Sequence, residues 1–330
     1  MREPLITGID VGEYSIKAVV IRPKKGRYTI KYYVELSAET SLYSVDFLFN
    51  HQEVVKKFQQ LNKALPIFSS KVALSIPEQV VFDQIVPVES GSNTFEVQFA
   101  IQQALSLESS IPLENLSLDF VPIEDTNEEV SSTCDVHVYA TYRQVIEDRV
   151  NVVKNAGFTP WLIQSENMAL MQLLLFITDY WSNEASQYEL NHSLLHIEQS
   201  SSVFCFVDAT QMPHCKTIEF GVLQLNELGM DEFIKQLKIF IQPIIQVLLT
   251  SKTAIQSHQV WLSNDGVAER DNEEKIVSEL KQVMPMNQAI KIDRLVLSDL
   301  FIGALDSNCL NGFAKTIGVA ISGLVWKGEQ

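Results

Sequence analysis

Positive charge is scarce in this chain. Lys and Arg number 25 against 41 Asp and Glu, a formal net charge of −16. That balance excludes the wrapping of duplex DNA or RNA, which needs clustered cations against the phosphates. Glycine (13) and proline (11) are few and scattered, so low-complexity linkers are not a major component. Cysteine is confined to Cys134, Cys205, Cys215 and Cys309. No C-x-x-C pair occurs and the spacing fits no zinc pattern; only His214 beside Cys215, with Cys205 nearby, suggests a metal at all. The thiols read instead as reduced side chains of a cytosolic protein.

Long hydrophobic runs are missing too. The most apolar stretch, 231–253, is interrupted by Lys235, Gln236, Lys238, Gln242, Pro243 and Gln246. Its Phe233, Leu237, Phe240, Ile244 and Leu248 recur at three- and four-residue steps. This is the stripe of a packed amphipathic helix kinked at Pro243, not a membrane span. No charged-then-apolar leader is visible, so if the protein works at a membrane, something else is expected to tether it. The nucleotide and hydrolase motifs G-x-x-x-x-G-K-[ST], G-x-G-x-x-G and G-x-S-x-G are absent.

What is present is a globular composition, 46% hydrophobic over 330 residues, enough for one large or two medium domains. "LITGIDVG", "SIKAVVIR" and "RYTIKYYVEL" read as three strands joined by tight turns, within 5–37. A helix over 51–64 and a short buried strand over 71–76 follow. Residues 80–160 read as strand, helix, strand, strand, helix, with the first helix capped near Ser92 or Asn93 and the second closed by Gly157. This unit predicts an inserted α+β subdomain. A helix follows it, and then "YELNHSLLHIEQSSSVFCFVDATQMPHCKTIEF" repeats the layout of 5–37 and sets His196 against Asp10. The later part reads as the long helix, a strand "QVWLSN", a helix "NEEKIVSELKQVM" and a C-terminal helix "NGFAKTIGVAISGLVW".

Two tandem strand units, each followed by helices, predict an α/β actin-like (ribonuclease H-like) two-lobe fold. The first lobe is expected at 1–79, completed by 161–187 and 312–327, the inserted subdomain at 80–160 and the second lobe at 188–311. Such a fold can hold a nucleotide between its lobes. The first turn, Asp10-Val11-Gly12, equally reads as a plain hairpin whose Asp makes local backbone bonds. Asp119 and Asp208, where a sugar-kinase base would be sought, read as strand-end or loop residues, and Glu124, Asp125, Glu128 and Glu129 as a solvated loop.

"GIDVGEYSIKAVV", "VALSIPEQVVFDQIVPV", "IPLENLSLDFVPIE", "VYATYRQVIEDRVNVVKNAGFTPWLIQSENMAL" and "FAKTIGVAISG" occur in that order. Together they resemble the PilM family, actin-like proteins of type IV pilus and competence machinery, over nearly the whole chain. The resemblance implies the inserted-subdomain layout, similar to FtsA. It also implies a cytoplasmic scaffold that binds the short cytoplasmic tail of a bitopic inner-membrane PilN-like protein near the junction of first lobe and subdomain. By the same resemblance the cofactor would be ATP with Mg, held by Asp10 (through water to the metal), Gly12, Ser15 and Lys17 of the first turn, Ser200 and Ser201 of the second, and Ser263 and Gly266 of the adenosine loop.

All three loops depart from the family's pattern, at five positions. Glu13 replaces a small residue in the first turn, and a carboxylate ~4 Å from a phosphate costs about 1–4 kcal/mol at an effective dielectric of ~80–20. In the second turn His196 and Glu198 stand where the family has Asp and Gly, and a Gly that admits backbone to phosphate cannot become Glu without cost. Asn264 and Asp265 replace glycines in the adenosine loop. The sequence therefore predicts a degenerate nucleotide site and no catalytic residue. An ATPase or nucleotide switch of the same machinery and a small-molecule kinase remain open as alternatives.

Overall fold

The computed structural model describes residues 5–24, 26–44, 46–66, 69–108, 112–123, 132–184, 190–207, 213–250, 257–265, 270–283, 290–302, 310 and 312–328. Gly266, Asp208, Cys309, Glu124, Asp125, Glu128 and Glu129 lie outside the described residues. In chain order come β1 (Ile6–Val11), β2 (Ser15–Lys24), β3 (Arg27–Ser37), α1 (His51–Ala64), β4 (Lys71–Ile76) and β5 (Val81–Glu89). Then follow α2 (Thr94–Glu108), β6 (Leu116–Pro122), β7 (Thr133–Tyr142), α3 (Arg143–Asn155), β8 (Thr159–Ser165) and α4 (Glu166–Glu184). The remainder is β9 (Leu190–Ile197), β10 (Ser202–Val207), β11 (Pro213–Ile218), α5 (Val222–Leu228), α6 (Met230–Thr250), β12 (Ser257–Asn264), α7 (Arg270–Val283), β13 (Ile290–Arg294) and α8 (Ala314–Gly328).

The tandem layout read from sequence is reproduced in the sheets. One has the order β3-β2-β1-β4-β8 and the other β11-β10-β9-β12-β13. In each, the first three strands form antiparallel hairpins and the last two run parallel to the first. Strand alternation assigns the faces. On β1 and β2, Ile9, Val11, Ile16, Ala18 and Val20 pack outward against α1 and α3. Ile6, Val19 and Ile21 face inward onto α4 and α8. On the second sheet Leu195, Ile197, Phe204 and Phe206 face α5, α6 and α7, while Leu194, Val203 and Cys205 face the same central helices. The layers are thus helices, sheet, the α4/α8 pair, sheet, helices.

A third sheet, β5-β7-β6, buries Val86, Val88, Val136 and Val138 under Ile101 and Leu105 of α2. Asn93 is the cap of α2: its Oδ1 accepts from the amides of Phe95 (3.0 Å) and Glu96 (3.1 Å), and Glu96 accepts from the Asn93 amide (2.8 Å). Gly157 takes the left-handed turn that ends α3, at φ +85°. α3 sends Val152, Val153 and Ala156 into the core it shares with α1. Pro243 lies inside α6. Two elements have no counterpart in the sequence reading, α5 and β13. Each is only five to seven residues long, too short for a periodic pattern to stand out.

Two glycines set how deeply α8 enters. A Cβ on Gly8 of β1 would stand 2.3 Å from the Thr316 carbonyl oxygen, and one on Gly318 would stand 1.9 Å from that of Ala169. α8 therefore touches the first sheet and α4 backbone to backbone. Gly318→Ala should force the central pair apart and lower stability by ~1–3 kcal/mol, the usual cost of overpacking. Gly12→Ala, whose Cβ would stand at ordinary contact distance from the Ser15 carbonyl (3.5 Å) and hydroxyl (3.9 Å), should leave the thermal midpoint close to wild type. Paired thermal unfolding of the two variants checks this; equal midpoints would contradict the packing.

Candidate functional site

The inward-facing residues at the carboxyl ends of the parallel strands converge on one place, between the sheets and at the starts of α4 and α8. This is the end of an open α/β sheet at which ligands bind. Asp10 and Lys17 are directly paired across β1 and β2 and both face inward. Asp10 accepts a hydrogen bond from Ser75 of β4 at 2.5 Å. The second lobe repeats this arrangement. His196 of β9 and Ser263 of β12 are in register, with Nδ1 and Oγ 2.7 Å apart.

The two turns close in the same way. The Gly12 amide donates to the Ser15 carbonyl at 2.9 Å, and the Glu198 amide donates to the Ser201 carbonyl at 2.8 Å. Glu198 is thus the structural counterpart of Gly12, and its side chain enters the space that a glycine leaves open. Glu13 is exposed on the outside of the first turn. Ser201 gives its hydroxyl to Glu198 Oε2 at 3.0 Å, and Ser200 is exposed.

Two lysines and four carboxylates fill the middle. Lys315 of α8, buried, lies 3.2 Å from Glu198, 3.3 Å from Glu166 of α4 and 3.9 Å from Asp10. Lys17 lies 3.7 Å from Asp265, which follows β12. His196, fully buried, places Nε2 3.5 Å from Asp265 and 3.7 Å from Glu198. The Gly312 backbone closes over Lys17: a Cβ there would stand 3.0 Å from its Nζ. Asn264 does not face this cluster; it donates to the buried carboxylate of Glu273, which pairs with Arg294.

Burial and neighbours set the charges. Burial pushes Glu166 up to about 8 against the pull of Lys315, with Glu198 and Asp10 adding to the rise. Burial also opposes ionisation of Glu198 and Asp265, but their neighbours win. Lys315 and His196 hold Glu198 below the usual carboxylate range, and His196 and Lys17 do the same for Asp265. Burial disfavours the Lys315 ammonium, yet the surrounding Asp10, Glu166, Glu198 and Asp265 raise its pKa well above the ordinary lysine value. With Glu166 protonated, Asp10, Glu198 and Asp265 still outnumber the two lysines. A triphosphate set among these groups would meet three carboxylates and two lysines already partnered.

Of the residues expected from sequence, Asp10, Lys17, Ser201 and Ser263 come together here, and Gly12 and Ser15 form the adjoining turn. Glu166, Lys315 and Ser75 were not singled out in the sequence. The signal for Lys315 is a lone cation in the apolar, small-residue run "FAKTIGVAISG", and for Glu166 a carboxylate opening the apolar helix "ENMALMQLLL". The grouping around Cys215 resolves differently. Cys205 and Cys215 oppose each other across β10 and β11 with sulfurs 2.9 Å apart. His214 instead stacks on Phe206, ring centroids 5.3 Å apart, on the opposite face. No group of three His, Cys, Asp or Glu side chains that could hold a metal ion occurs among the described residues.

Comparisons with known proteins follow this geometry. No curated protein matches the chain in sequence. Among solved structures, a chain of a PilM–PilN type IV pilus biogenesis complex is similar over 97% of this chain and 98% of its own, at 14% identity and TM-score 0.65. A Bacteroides thetaiotaomicron protein with an actin-like ATPase fold aligns over 95% of this chain and 96% of its own, at 10% identity and TM-score 0.49. The α/β architecture of two like sheets around a central helix pair is shared with the chain of the pilus complex. The family model described as type IV pilus assembly protein PilM matches residues 8–239, more than half of the sequence, and the chain belongs to that family.

Proposed function

We propose that this protein is a scaffold of type IV pilus or competence pilus assembly that works without nucleotide. It lies in the cytoplasm and is held at the inner membrane by the short cytoplasmic tail of a PilN-like bitopic protein. The observation that carries the reading is the family match over residues 8–239. Likeness to a chain solved in a PilM–PilN complex supports the partner. No helix among the described residues is long and apolar enough to cross a membrane, and the partner's tail would supply the tether.

The tail would be captured in extended or turn-like form at the junction of first lobe and inserted subdomain, through apolar anchors and backbone bonds. Phe82 near the start of β5 and Tyr142 at the end of β7 lie where the third sheet meets α3, which shares a core with α1. Both are exposed, at 43% and 39%, and their ring centroids are 5.7 Å apart. An exposed aromatic pair of this kind suits an apolar peptide side chain. The cleft does not suit ATP with Mg, because its lysines face carboxylates. The competing nucleotide-switch reading draws on the retained Asp10, Gly12 and Lys17.

Two measurements test this proposal. A synthetic tail of the Ile-Asn-Leu-Leu-Pro type should bind the full chain, and a Phe82→Ala, Tyr142→Ala variant should bind it at least ~10-fold more weakly. No binding by any such tail sinks the scaffold reading. Titration of the wild type with Mg-ATP should give no heat; micromolar binding lost on Lys17→Ala would establish the switch instead.

The site charges should act on stability, with opposite signs at two positions. Glu166 is raised in the folded state, so its contribution is full below the unfolded carboxylate value and is lost as pH rises towards about 8. Glu166→Gln should therefore gain on wild type in thermal midpoint between pH 5 and pH 9. Asp265 is depressed, so its contribution is present above the unfolded value and is lost only as pH falls below the usual carboxylate range. Asp265→Asn should be less stable than wild type at neutral pH, with the gap closing in acid. Parallel slopes for the two variants would contradict the assignment.

A further inference from the structure

The cleft charges are divided between the lobes in a regular way. Lys17 on β2 and Lys315 on α8 belong to the first lobe's side, since α8 packs on β1, β2 and β4. Their nearest carboxylates, Asp265 after β12 and Glu198 in the β9–β10 turn, belong to the second lobe. Each lobe-to-lobe pair therefore has its cation on one lobe and its anion on the other. All four side chains are less than a fifth exposed, 11% and 12% for one pair and 9% and 18% for the other, so solvent and salt screen them weakly.

The anions are also held in place. Ser201 fixes one Glu198 oxygen at 3.0 Å. The Glu198 carbonyl accepts the Val222 amide at 2.9 Å, and the Asp265 amide donates to the Ile197 carbonyl at 2.9 Å. Gly221 is needed for the first of these approaches, because a Cβ there would stand 2.4 Å from the Glu198 carbonyl oxygen. His196 lies between the two carboxylates, within 3.7 Å of both.

We propose that the protein supplies its own anion to this cleft: Glu198 and Asp265 take the place of a ligand's phosphates against Lys315 and Lys17, and clamp the two lobes in one closed arrangement. In proteins that close around a ligand, the ligand's charge supplies the differential contact between open and closed states. Here the contact is covalently built in, so closure depends on no small molecule. This rests on the nucleotide-independent reading above and adds to it both the cause of that independence and a latent polyphosphate site beneath the clamp.

The test removes the built-in anions while keeping their shape. In the full chain, Glu198→Gln with Asp265→Asn should loosen the closed state. Hydrogen exchange at the start of α8 and in the β9–β10 turn should rise, and the radius of gyration from solution scattering should increase. The freed lysines should bind inorganic tripolyphosphate at least ~10-fold more tightly than wild type does, as expected from removing charge repulsion at such distances. Binding should restore the exchange protection, and adding Lys17→Met should abolish it. If the double variant does not fold, Asp265→Asn alone carries the same test, because Lys315 keeps Glu198.

Variants as closed and exchange-protected as wild type, with no gain in tripolyphosphate binding, overturn the clamp. Micromolar Mg-ATP binding by the wild type overturns the reading beneath it. A silent wild type with silent variants overturns the clamp alone.

Discussion

The ammonium of Lys315 is the constraint around which the centre of the molecule is arranged. A cation taken out of water costs several kcal/mol unless partners surround it. Lys315 is buried on a helix whose residues from Ala314 to Ile321 are all buried, so its partners must come from other elements. They come from three: Asp10 from β1, Glu166 from α4 and Glu198 from the turn after β9. None of these contacts forms unless α8 lies against the first sheet at backbone distance, which Gly8 and Gly318 permit. Small-residue packing and charge pairing are thus one requirement. The helix must come close for the lysine to be neutralised, and the carboxylates must be present for the helix to be tolerated there.

The repeat of strand order makes the divergence of the two halves readable. Asp10 with Ser75 in the first sheet and His196 with Ser263 in the second are the same construction, an inward polar residue bonded to a serine on the neighbouring parallel strand. An aspartate at 196 would add another carboxylate beside Glu198 and Asp265. An imidazole there faces both and favours their ionised forms. His at 196 and Glu at 198 are then not independent choices. Once Glu198 occupies the turn and reaches Lys315, a histidine beside it is electrostatically preferable to an acid.

Much of the fold was legible because its central strands are buried on both faces by helix layers and bounded by turn residues. β1, β2, β4, β9, β10 and β12 stand out for that reason, β3 shows instead by its alternation, and Gly157 closes α3 where its neighbours predict. β13 and α5 fall below the length at which periodicity can speak. The cleft was legible only in part. Asp10 and Lys17 flank one turn and Glu198 sits in the other, and the spacing within each is local. Glu166 and Lys315 are brought together by tertiary packing across 149 positions of sequence, and no local pattern announces that. Asp265 was visible as a charge out of place in the adenosine loop. Its direction was not, because the choice between the base pocket and Lys17 is made by the lobe opposite.

A second cluster of buried charge shows where else the chain is rigid. Within the run "EDRVNVVKNAG" on α3, Arg149 is fully buried. It donates to the Phe47 carbonyl at 2.9 Å and lies over the Phe49 ring, 4.5 Å from its centroid. Asp148 accepts the Phe49 amide at 2.8 Å and pairs with His51. Asn62 of α1 donates to the Ala156 carbonyl at 2.8 Å, just before the left-handed Gly157. These bonds pin the segment leading into α1 and the helix α1 itself onto α3, which follows directly from the inserted subdomain's last strand. One cluster lines the cleft, and the other stiffens the joint from which the subdomain projects. On the scaffold reading proposed above, both serve one end, a fixed surface held out to a tethered partner.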